Sequence, residues 1–101
     1  MEIKTMFIKQ QNAQIYKSDE GFSVELYGRG GIKYHESNKI ITISSEFIRH
    51  FSGIVIDLQS IQHWDPPCEE DIIDEKYRLV IVDNIRRALQ FAGLTIDINY
   101  A

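Results

Sequence analysis

At Asp74 the spacing of apolar residues changes, and this change constrains the fold more than any other feature of the chain. Before it, short runs alternate apolar with polar residues, the two-residue period of strands with one buried face. After it, Tyr77, Ile81, Ile85, Ala88 and Ala92 follow at steps of four, four, three and four, with Val82 and Leu89 widening the stripe. Arg78, Asp83, Arg86, Arg87 and Gln90 take the other faces. The pattern predicts an amphipathic helix of about five turns. Asp74 is placed to cap its first turn, Glu75 adds negative charge where the helix dipole favours it, and Gly93 stands where a left-handed residue ends a helix.

The alternating runs predict the rest of the architecture. Phe22, Val24 and Leu26 face away from Ser23 and Glu25, and "GRGG" at 28 to 31 then turns the chain into "IKYHE", where Ile32 and Tyr34 oppose Lys33 and His35. "ESN" at 36 to 38 is a second turn, leading into "KIITIS", so a three-strand meander is expected. "AQIYK" at 13 to 17 pairs with the Gly21 strand across "SDEG", and "EIKTMFIK" is either a further strand or a lead-in. "SSEFIRHF" reads equally as a short helical turn capped by Ser45 or as sheet, and "GIVIDLQSI" is a later strand. "LTIDINY" alternates strictly and closes the chain as a strand. The expected fold is α+β: an antiparallel sheet of about five to six strands packed on one long C-terminal helix, with a final short strand, in a single domain over residues 1–101.

Charge and composition narrow the function. A net charge of −4 disfavours a general nucleic-acid binder, because that affinity rests on Lys and Arg neutralising phosphates. Tyr16, Tyr27 and Tyr34 near Arg29 and Lys33 are therefore better explained as strand formers than as a base-stacking platform. Cys68 is the sole cysteine, which excludes an intrachain disulfide and a cysteine-based zinc site and suits a reducing, cytoplasmic compartment. No signal-like segment and no run of 18 apolar residues is present, so neither export nor membrane spanning is expected.

Catalytic signatures are missing. His35, His50 and His63 lie in three separate segments, and no metal-binding helix motif, nucleophile elbow, phosphate loop or dinucleotide fingerprint occurs. His63 and the acids after it belong to a proline-containing loop whose ligands need not converge, so neither a metal nor another cofactor is expected and the chain is read as non-enzymatic.

One segment stands out: "HWDPPCEEDIIDEKY", residues 63 to 77, with the only Trp, the only Cys and both prolines. From Asp57 to Glu75 there are seven carboxylates and no Lys or Arg. Trp64 is expected to bury against the sheet and Pro66 and Pro67 to stiffen the exit, which presents Asp65, Glu69, Glu70 and Asp71 on a preorganised acidic ledge. Such a ledge suits a basic protein surface, as on a nuclease, and thus an inhibitor.

These residues resemble a family. Strands leading into "SIQHWDPP", an acidic gap and the helix "IIDEKYRLVIVDNIRRAL" look like the immunity proteins of bacterial polymorphic toxin systems, among them the immunity protein 74 family. Ser60, Ile61, Trp64 and Pro67 match its core, and "SSEFI" at 44 to 48 resembles the segment before the strand. The resemblance covers roughly residues 22 to 92, with Asp74 where a hydroxyl cap is usual. It implies a protein that binds a cognate toxin's C-terminal domain, in contact-dependent growth inhibition or a related system. Asp65, Glu69, Glu70 and Asp71 are then the expected steering and contact residues, supported by Trp64. The alternative is a small adaptor that recognises a peptide at an exposed strand edge.

Overall fold

A computed structural model describes residues 6–9, 14–27, 31–43, 45–48 and 53–99. The turn at 28–30 with Arg29, His50 and Tyr100 lie outside the described residues. Five strands form a consecutive antiparallel meander: β1 (Phe7–Lys9), β2 (Ile15–Ser18), β3 (Phe22–Tyr27), β4 (Gly31–Glu36) and β5 (Lys39–Ile43). The start of the chain thus adds a strand, with Ile8 opposite Lys17. The β4–β5 hairpin turns through Ser37 (φ 49°) and Asn38 (φ 66°), both left-handed, as a two-residue loop between right-twisted strands requires.

The remaining strands make a second sheet, which the alternation alone did not separate from the first. β6 (Ser45–Ile48), β7 (Gly53–Asp57) and β8 (Thr95–Asn99) stand in the order β6-β7-β8. Of the segment left open between turn and sheet, residues 45–48 are a strand, which Ser45 begins. β6 pairs antiparallel with β7, but β8 runs parallel to it, Ile54 opposite Ile96 and Ile56 opposite Ile98. The α+β fold is as expected, a five-stranded antiparallel sheet with one C-terminal helix and a final short strand, and the parallel pairing of that strand completes the second sheet. Between β7 and β8 lies the helix α1 (Glu75–Phe91), and its 17 residues carry the chain back about 25 Å, so the last strand starts beside Gly53.

The helix ends are specified as the sequence implied. Asp74, in extended conformation, accepts a hydrogen bond from Tyr77 N at 2.7 Å. At the other end Gly93 has φ 83°, Leu94 N donates to Leu89 O at 2.8 Å and Gly93 N to Gln90 O at 3.0 Å, a Schellman arrangement. Ile81, Ile85, Ala88 and Leu89 are fully buried against Val24, Ile32, Tyr34, Ile54 and Ile56 in one core. Burying each large aliphatic side chain contributes about 1.5–3 kcal/mol before ordering costs. Tyr77 lies at the margin of the stripe and is 36% exposed, while the polar Asn84 is inside it and only 7% exposed.

The cap makes a direct test. Asp74→Ala should lower unfolding stability by about 1 kcal/mol in chemical denaturation, whereas Asp74→Ser, which keeps an acceptor at the cap, should change it by no more than a few tenths.

Candidate functional site

The segment between β7 and α1 is a closed loop held by its own backbone. Ile73 N donates to Gln62 O at 2.9 Å and Trp64 N to Asp71 O at 3.3 Å, drawing both ends together around a His63–Ile72 bridge. Inside it, Cys68 N donates to Asp65 O at 2.9 Å across the two prolines, and Asp71 N to Cys68 O at 3.0 Å. The Pro66–Pro67 peptide bond is cis. Alternation across the bridge sends Ile73 into the core and leaves Ile72 82% exposed.

Two contacts fasten this loop to the five-stranded sheet. Trp64 is buried and stacks on Tyr34, with ring centres 6.3 Å apart, as expected of a packing anchor. Asp65 latches onto β5: its N–H donates to Ile40 O at 2.8 Å, and its carboxylate accepts from the Thr42 hydroxyl at 2.6 Å and from Thr42 N at 3.3 Å. Lys39 adds a third tie, 3.0 Å from Asp71 Oδ2 and 5.7 Å from the centre of the Trp64 ring.

The acids consequently divide by environment. Asp57 accepts from Gln59 N, Asp74 caps α1, Asp65 is held by Thr42 and Asp71 by Lys39. Glu69, Glu70 and Glu75 are exposed, and no side chain among the described residues holds their carboxylates. Cys68 is half-buried against the core.

Beside the loop lies a polar network that alternation and motif reading did not reveal. Tyr34 is wholly buried, and its hydroxyl donates to Glu36 Oε1 at 2.6 Å and accepts from Asn84 Nδ2 at 2.8 Å. The Tyr77 hydroxyl donates to the other oxygen of Glu36. Arg87 donates to Asn84 Oδ1, lies 2.8 Å from Glu20 Oε2 and 3.5 Å from Asp83 Oδ2, and covers the Phe22 ring. Burial, and then the bond to Glu36, drive the Tyr34 phenol well above its ordinary value; the same causes push Tyr77 up to about 12. Both remain proton donors at any physiological pH.

Tyr34 and Tyr16 are buried, so neither offers a face for base stacking; the Tyr27 side chain lies outside the description. His35, on the open sheet face, lies 3.2 Å from Glu25, and His63 is exposed with Nδ1 3.1 Å from Trp64 O. Among the described residues no three His, Cys, Asp or Glu side chains are grouped to share a metal ion, and no helix is long and apolar enough to cross a membrane.

A family model described as immunity protein 74 matches residues 23–99. The chain belongs to this family. The match takes in β3 to β8, the loop and the helix, so the immunity protein 74 region includes both sheets and the Trp64 anchor. Comparison with curated proteins and with solved structures gave no match.

The sequence-expected residues thus share one loop, with different surroundings. Trp64 supports from beneath, Asp65 and Asp71 are tied to β5, and Glu69 and Glu70 face solvent. The polar roles of Glu36, Tyr77 and Asn84 escaped sequence reasoning, although Asn84 falls within the helical stripe, a buried polar position that demands a partner. Leu79 and Val80 were also passed over: in "RLVIV" four consecutive apolar residues cannot all face one side of a helix.

Two outcomes test this geometry. Asp65→Ala should lower the unfolding free energy by about 1.5 kcal/mol, while Glu69→Lys with Glu70→Lys should stay within about 0.5 kcal/mol of wild type. Because the folded-state values of Tyr34 and Tyr77 are raised, stability is full below the unfolded tyrosine value of about 10 and falls as pH rises through about 12. In denaturation series across pH 9–12, Tyr34→Phe should show a shallower alkaline fall than wild type.

Proposed function

We propose that this immunity protein 74 member binds the toxic domain of a cognate polymorphic toxin and neutralises it by covering the toxin's active or substrate-binding surface. Membership of an immunity family implies toxin neutralisation, and that membership is the observation carrying the proposal. Immunity families typically act by binding, without catalysis, and this chain is read the same way. Its working compartment is the cytoplasm, where the toxin domain arrives.

The loop supports a direct mode of action. Glu69 and Glu70 project from a segment already closed by turn and bridge hydrogen bonds, so presenting them to a partner costs little ordering entropy. Exposed carboxylates beside a net charge of −4 steer a basic surface, such as the substrate groove of a nuclease. Asp65, Asp71 and Trp64 hold the ledge in place, and the outward edges of the first two complete the contact surface.

A second reading, a small adaptor that recruits a peptide strand, draws on the position of β8 at the edge of the three-stranded sheet.

Co-expression with candidate cognate toxin C-terminal domains, followed by binding kinetics at low and moderate salt, separates these readings. Tight binding is expected, with an association rate that falls as ionic strength rises and falls further in Glu69→Lys/Glu70→Lys. Failure to bind or protect against any cognate toxin domain would shift the weight to the adaptor.

A further inference from the structure

Among the described residues, several large apolar side chains are exposed along the first half of α1. Leu79 is 52% exposed, Val80 46% and Tyr77 36%, and Ile72, just before the helix, is 82% exposed. Large apolar side chains scattered singly need no explanation, but these line two hollows that share residues. Val80, Leu79 and Tyr77 line one side of a groove of ≈ 630 Å³ between the helix and the tips of the β2–β3 and β4–β5 hairpins. A second hollow of ≈ 320 Å³, lined by Ile72, Trp64 and Asp74, shares Glu36, Ser37 and Tyr77 with the first. Glu36 thus lines both.

The charges lining this joined groove are unbalanced. Glu20, Glu36, Asp74 and Asp83 face only Lys39 and Arg87. Both cations are already engaged within the chain, Arg87 by Glu20 and Asp83 and Lys39 by Asp71. Glu36 is held in place by two phenols that keep their protons, so its carboxylate is preorganised and keeps its remaining lone pairs. The apolar Leu79, Val80 and Tyr77 in the same lining as the anionic Glu36 complement one kind of side chain, a long aliphatic stem ending in a cation.

Resting on the toxin-binding reading above, we propose that this groove, rather than the acidic ledge, anchors the toxin. Its occupant is a loop or strand of the toxin domain bearing a Lys or Arg next to a large apolar residue. The cationic head meets Glu36 while its methylenes lie on Tyr77 and Val80, and the apolar neighbour covers Leu79. The ledge residues Glu69 and Glu70 steer the approach; the groove supplies the desolvated contact that sets residence time. The exposed Met6 and Ile8 lie at the edge strand β1, where Lys17 stands opposite Ile8 and the Asp19 carboxylate is already taken by Met6 N at 3.2 Å.

The test measures association and dissociation of the full chain with its cognate toxin domain, for wild type, Leu79→Ser/Val80→Ser, Val80→Lys, Glu69→Lys/Glu70→Lys and, as a control, Ile8→Ser. All the altered side chains are solvent-facing, and thermal melting checks that each variant is folded. Leu79→Ser/Val80→Ser should weaken binding at least about 30-fold, mainly through faster dissociation, and Val80→Lys should do so through repulsion of the incoming cation. Glu69→Lys/Glu70→Lys should mainly slow association, and Ile8→Ser should match wild type. Wild-type dissociation rates in both groove variants, with wild type itself binding tightly, would overturn the groove while leaving the toxin-binding reading intact. If wild type binds no cognate toxin domain, that reading fails and the groove proposal with it. Light scattering that finds a wild-type dimer made monomeric by Leu79→Ser/Val80→Ser would also overturn it, because the occupant would then be a second copy.

Discussion

Burying a tyrosine in the middle of a small core obliges the protein to satisfy its hydroxyl, and much of the molecule is arranged around that obligation. Tyr34 is fully enclosed, and an unpaired phenol there would cost roughly 1–3 kcal/mol. Its hydroxyl is met from two directions, by Glu36 two residues along β4 and by Asn84 from the helix. The ring stacks on Phe22 at 5.8 Å and on Trp64 at 6.3 Å. One side chain therefore ties the five-stranded sheet, α1 and the proline-containing loop to a common register. A shift of α1 by one residue would carry Asn84 out of reach and expose the stripe of isoleucines.

That registration also positions the surface offered to a partner. Trp64 places the loop over β4 and β5, Asp65 latches it to Thr42, and Lys39 draws Asp71 inward. The carboxylates left exposed, Glu69, Glu70 and Glu75, stand on a frame that is already ordered. On the adjoining side the same network fixes Glu36 in the shared lining of two hollows, one of which also carries Leu79 and Val80. An inhibitor built in this way brings a rigid surface with both steering charge and desolvatable area, which suits the role implied by the immunity protein 74 family.

Acidity by itself was a coarse guide to roles. Seven carboxylates between Asp57 and Glu75 are equivalent in the sequence, yet Asp74 caps α1, Asp57 caps the short 3₁₀ turn Leu58–Ser60, one holds the loop to the sheet and one pairs with a lysine. A carboxylate's role depends on which N–H, hydroxyl or ammonium comes within about 3 Å of it, and those partners are distant in sequence: Asp65 and Thr42 are 23 residues apart.

Local periodicity determined a great deal: the α1 stripe, its Asp74 and Gly93 ends, the alternating strands and the burial of Trp64 were all legible, because each rests on neighbours within a few residues. The family resemblance was legible for the same reason, since its core lies in one short run from Ser60 to Pro67. Long-range geometry decided the rest. The split into two sheets, the parallel pairing of β8 with β7, the Tyr34–Glu36–Asn84 network and the groove along Leu79 and Val80 depend on how far the helix carries the chain and what it then packs against. Strand period specifies which face is buried but not which strand is the neighbour, and a polar residue on an apolar stripe announces a partner without naming it.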